Sequence, residues 1–74
     1  MAWAIEVQDD DGVFRPVSVI RDVECGYCYA FTRDVPMPAC IQDHEEDARH
    51  IVQRLKSDQK VRARYVPAPG SLAP

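Results

Sequence analysis

A chain of 74 residues with a net charge of −3 has room for one domain. It also lacks the Lys and Arg excess with which general nucleic-acid binders neutralise phosphate. With 46% hydrophobic residues it is too apolar for a disordered chain, yet no apolar run approaches the roughly 18 residues that span a bilayer. Folding at this size buries only about 60–65% of the unfolded surface, so a staple or a second copy is a common supplement.

Met1 to Gln8 has neither the basic region nor the apolar stretch of a secretory signal, and a cytoplasmic location is expected. Within it Trp3, Ile5 and Val7 alternate with Ala4, Glu6 and Gln8, the period of a half-buried strand. Asp9-Asp10-Asp11-Gly12 then supplies the positive φ of a tight hairpin turn. Val13 to Ile20 is rich in β-branched residues and reads as the returning strand. Pro16 has no amide donor, which predicts that this strand is an edge or is interrupted there.

Arg21 to Gly26 is turn-like. Tyr27, Tyr29 and Phe31 alternate again and form a third strand, which Pro36-Met37-Pro38 ends. From Ala39 the spacing becomes helical: Ile41, His44, Ala48, Ile51, Val52 and Leu55 share one side, with Asp43, Glu46, Asp47, Arg49 and Arg54 on the other. Acids near the start and Arg54 and Lys56 near the end suit the helix dipole. Ser57-Asp58-Gln59 breaks the pattern, and Lys60 to Val66 alternates as a last strand. The expected fold is α+β, order β-β-β-α-β: a small antiparallel sheet of three to four strands with one amphipathic helix on a face. Residues 1–66 make a single domain and 67–74 a flexible Pro-rich tail. Monomer and homodimer are both open, with the Pro16 strand or the last strand as the edge.

Three cysteines cannot form a complete set of bridges in one chain, which favours reduced thiols or metal ligation. Cys25-x2-Cys28-x11-Cys40-x3-His44 has the order of a structural zinc site. Gly26 permits the turn between the first two sulfurs, and Cys40 and His44, four apart on a helix, can face one ion. Residues 25–44 resemble a small zinc finger with Cys40 in place of the first histidine, which implies one structural Zn. The base-reading face would be acidic at Asp43, Glu45, Glu46 and Asp47, so a metal staple is favoured over a DNA reader. Plain packing is the alternative: cysteine behaves as a small buried hydrophobe, and His44 can sit at the core boundary.

Other catalytic chemistry is scarce. His44 and His50 are six apart and cannot share an ion on one helix. The Asp9–Gly12 segment is too short for a calcium loop. No glycine-rich phosphate cradle or Ser-His-acid set is present, so no enzyme is expected. A thioredoxin-type role would need Cys25 and Cys28 at a helix start, and a strand follows them. Aromatic residues beside Arg62 and Arg64 are of the types that dominate interfaces. Tyr27, Tyr29, Arg62 and Arg64, with Asp43, Glu45, Glu46 and Asp47, are therefore the candidate partner-binding residues. Charge is uneven as well, −4 over residues 1–32 and +1 over 33–74.

Trp3-Ala4-Ile5-Glu6, Phe14-Arg15-Pro16-Val17-Ser18-Val19-Ile20-Arg21 and Val61-Arg62-Ala63-Arg64-Tyr65-Val66-Pro67 are similar to the opening and closing strands of small bacteriophage accessory proteins. That class includes inhibitors of host defence such as anti-CRISPR proteins. The resemblance implies a non-enzymatic protein that binds a protein partner with a basic nucleic-acid-binding surface in the host cytoplasm. The alternatives are a zinc-stabilised nucleic-acid-binding module and, less favoured, a redox or other enzyme.

Overall fold

The structure, a computed structural model, describes residues 1–68. In chain order it contains β1 (Trp3–Gln8), β2 (Phe14–Asp22), β3 (Gly26–Phe31), β4 (Ile41–Gln42), α1 (Glu45–Gln59) and β5 (Ala63–Pro67). All strand pairings are antiparallel, and the class is α+β, with a short β4 that the sequence pattern does not reveal.

β1 is the hub. β5 pairs with it from Trp3 to Val7. On the opposite side β2 takes Glu6 to Gln8, and β4 takes Trp3 and Ala4. The turn between β1 and β2 closes as its composition predicts, with Gly12 at φ 85 and the Asp9 N–H donating to the Val13 carbonyl at 2.9 Å. The aspartates of this turn are committed to the fold. Asp9 receives Arg15 and Arg33, and Asp11 receives Arg15 and the Val13 N–H.

Pro16 corrects one expectation and explains another. The strand it occupies is not an edge: β2 lies against β1 as far as Pro16, then against β3 from Val17 to Asp22. The Thr32 N–H donates to the Pro16 carbonyl at 3.3 Å, but proline has no N–H to return, so the β2–β3 ladder stops there. Beyond Pro16 the strands β1 and β2 separate, and the Cys40 backbone fills the gap. Its N–H donates to the Val17 carbonyl (2.8 Å) and its carbonyl accepts the Ile5 N–H (3.1 Å). The incoming loop is held by Ser18, whose buried hydroxyl donates to the Pro38 carbonyl at 2.6 Å.

These bonds move the helix start. The spacing predicts a helix from Ala39, but α1 begins at Glu45, with His44 extended at φ −117, ψ 134 as its N-cap. Cys40 cannot be helical while both its backbone groups are bound to sheet strands, and Ile41 and Gln42 pair with β1. Ile41 is consequently exposed rather than part of the helical stripe, and His44 is exposed as well. The stripe that docks on the sheet is Ala48, Val52 and Leu55, all buried, flanked by Ile51.

The core joins that stripe to Ile5, Val7, Val17 and Ala63. Burying a side chain the size of Ile5 or Leu55 contributes about 1.5–3 kcal/mol over leaving it in water. The helix ends at Lys60, a non-glycine residue in left-handed geometry (φ 57) whose N–H donates to the Lys56 carbonyl. β5 begins at Ala63, later than the alternation from Lys60 predicts. It also runs further, since Pro67 stands opposite Trp3 and the Ala68 N–H donates to the Ala2 carbonyl. The tail expected from 67 is thus strand-paired at its first two residues, and 69–74 lie outside the described residues.

Candidate functional site

The expected ligand set is not brought together. Cys25 is exposed in the turn before β3, and Cys28 lies on β3 opposite Ile20. Cys40 sits between β1 and β2 with its Sγ 3.5 Å from Gln42 Nε2, and His44 occupies the N-cap position of the helix without a side-chain capping bond. Cys40 and His44 therefore do not project from one helical turn, the premise of the expected second ligand pair. Among the described residues no group of three or more His, Cys, Asp or Glu side chains is placed to hold one metal ion.

Desolvation pushes the Cys28 thiol up from its ordinary value, with the nearby Cys25 and Asp22 adding to it. Burial does the same to Cys40. Both sulfurs are thereby kept as thiols, the opposite of an activated thiolate.

The acidic start of α1 is a different environment. Asp43, Glu45, Glu46 and Asp47 are all exposed. Glu45 accepts the Tyr65 hydroxyl at 2.9 Å and lies 3.7 Å from Arg49, whose charge also feels Glu46. Among the described residues Asp43, Glu46 and Asp47 make no ion pair. The Tyr65 ring meets Trp3 edge to face at 5.6 Å, so an aromatic pair adjoins the carboxylates. These closely spaced acids repel one another, and the positive end of the helix dipole partly offsets this.

The other expected contact residues are less free. Arg64 donates to Glu6 at 2.8 Å across the β1–β5 pair and its guanidinium lies 4.3 Å over the Phe14 ring. Arg62, just before β5, is exposed and makes no ion pair among the described residues, so the two arginines do not form a free basic stripe. Tyr27 and Tyr29 are half-buried against the core rather than displayed.

A cleft that the sequence pattern does not announce opens on the other part of the helix. It has a volume of about 450 Å³ and lies between the end of the β2–β3 hairpin and α1. Arg21, Asp22 and Val23 come from β2 and its turn, Gly26 and Tyr27 from β3, and His50 and Arg54 from the helix. His50 meets the Tyr27 ring edge to face at 5.9 Å, and the Arg54 guanidinium lies 5.7 Å from its centroid. Asp58 fixes the arrangement: one carboxylate oxygen accepts the Tyr27 N–H at 3.0 Å and pairs with Arg54 at 3.2 Å. Gln59 completes the latch by donating to the Tyr27 carbonyl at 2.8 Å. His50, Arg54 and Asp58, at steps of four, form one polar line along the helix.

Comparison with protein-family models, with curated proteins and with solved structures finds no match for this chain. Among the described residues no helix is long and apolar enough to cross a membrane.

Proposed function

We propose that this chain is a non-enzymatic binding protein that docks the acidic start of its helix on a basic surface of another protein. The observation that carries this is the set of exposed carboxylates on Asp43, Glu46 and Asp47, without ion pairs among the described residues. Elsewhere Asp9, Asp11, Asp34, Glu6 and Asp58 each hold an arginine, while Asp10, Asp22 and Glu24 in the turns make no ion pair among the described residues. Carboxylates left unpaired at the helix start offer charge complementarity to a basic surface, which steers encounter.

The resemblance of the opening and closing strands to small bacteriophage accessory proteins implies, as part of this proposal, a partner that is a nucleic-acid-binding protein of a host-defence, CRISPR-like complex. Its phosphate-binding groove would supply the Lys and Arg that the carboxylates meet. Affinity capture from a lysate of the source organism, with the immobilised full chain, tests this. The expected result is retention of a basic nucleic-acid-binding protein that is released as added salt screens the contact. Retention of nucleic acid alone, or of nothing, would refute it.

A further inference from the structure

The cleft between the β2–β3 hairpin and α1 has a function of its own, on residues that the proposed protein contact does not use. We infer that it binds a phosphate monoester carried on a small organic body, the size of a mononucleotide, through Arg21 and Arg54 with Tyr27 and His50 beside them.

The chemistry of the lining leads there. Arg21 makes no ion pair among the described residues, and it stands on the strand position opposite Tyr27. Arg54 faces it from the helix. Only its Nη2 is engaged, by Asp58, and the Tyr27 ring steadies the guanidinium plane, so its remaining N–H groups are free to meet a ligand. The lining includes one carboxylate, Asp22, and its Oδ1 already accepts the N–H groups of Glu24 (2.7 Å) and Cys25 (3.1 Å). Asp58, behind Arg54, is likewise occupied by Arg54 and the Tyr27 N–H, so Arg21 is the cation of the cleft without a counter-charge among the described residues.

The direction of the donors selects among anions. A planar carboxylate is satisfied by one arginine fork. Donors that converge from two separate walls, with an imidazole one helical turn away, suit the three terminal oxygens of a tetrahedral phosphate. The volume of about 450 Å³ exceeds what an inorganic ion needs and falls within the range of small-molecule sites. Val23 and the Tyr27 ring give the organic part an apolar wall.

Two sources share this chemistry: a free mononucleotide and the terminal phosphate of a nucleic-acid strand. The test is titration of the isotope-labelled chain, followed by amide resonances, with a nucleoside monophosphate, the matching nucleoside, and short oligonucleotides with and without a 5′-phosphate. The expected result is saturable shifts at Val23, Gly26, Tyr27 and His50, with affinity lowered about tenfold or more when the phosphate is missing or in Arg21→Gln. Arg62→Gln, away from the cleft, leaves the affinity unchanged. If only the free monophosphate binds, the source is a metabolite; if the 5′-phosphorylated strand binds as well, it is a strand end. Equal binding of nucleoside and nucleotide, shifts elsewhere on the surface, indifference to Arg21→Gln, or no saturable shift overturns the inference. None of these results depends on whether the acidic helix start finds its protein.

Discussion

The two halves of α1 treat charge in opposite ways. In the second half the ionic groups near the hairpin hold the structure together. Asp58 binds the Tyr27 N–H and Arg54, and Arg54 lies over the Tyr27 ring. At the start Asp43, Glu46 and Asp47 are exposed to solvent without an ion-pair partner among the described residues. The reason lies in what each half has to hold. The hairpin half is weakly anchored by burial, since none of the six residues of β3 is fully buried, and polar bonds to its backbone replace missing apolar contact. The start of the helix is tied to β5 by the Tyr65–Glu45 bond, and its buried Ala48 belongs to the core cluster. Carboxylates there are not needed for the fold, which is what a contact surface requires.

The largest effect comes from the anchor shared by both halves. Leu55→Ala leaves a cavity at a fully buried position and is expected to cost about 2–5 kcal/mol. In a domain this small that approaches the whole stability, so urea denaturation followed by circular dichroism should show little folded protein. A loss under about 1 kcal/mol would mean that the helix is not docked as described.

Asp58→Ala separates the halves. It leaves the Tyr27 N–H without its acceptor and Arg54 without its pair, with an expected cost of about 1–2 kcal/mol. Hydrogen exchange should quicken at Tyr27 more than at Ile5. Equal quickening throughout would contradict the idea of a local polar latch.

Acid should act on the committed carboxylates. The hydrogen bond from Arg33 lowers Asp9, the one from Arg15 lowers Asp11, and the Glu24 and Cys25 N–H groups lower Asp22, each from an ordinary value of 3.8. A folded pKa below the unfolded one means that the contribution is present above about pH 4 and disappears as pH falls below it. Asp11 and Asp22 are exposed and Asp9 is half-buried, so the effect on Tm is modest and comes mostly from Asp9. Arg33→Gln and Arg15→Gln should flatten the acid limb of the Tm–pH curve, and an unchanged limb would show that the pairs do not persist in solution.

Much of the fold was legible because its signals are local. The alternation of Trp3, Ile5 and Val7, the Asp-Gly turn and the stripe Ala48–Val52–Leu55 each follow from short-range geometry. The helix start was not, because Pro38, Cys40 and Ile41 have helix-compatible spacing and are overruled by distant groups, the Val17 carbonyl and the Ile5 N–H. The same long-range bonds mean that Cys40 and His44 do not share a helical turn, since the helix begins at Glu45 rather than Ala39. Pro16 shows the reverse. Its missing donor was readable, but whether it marked an edge or a change of partner depended on where β3 lies. The cleft escaped notice because Arg21 and Arg54 meet only through the packing of hairpin on helix.

The most direct test is to neutralise the free carboxylates and nothing else. Asp43→Asn, Glu46→Gln and Asp47→Asn together should leave the urea midpoint nearly unchanged, because no ion pair among the described residues is lost, while retention of the captured protein falls by about tenfold or more. A variant that holds the partner as tightly as the unmodified chain, or one that unfolds, would contradict the claim that the helix start is reserved for binding.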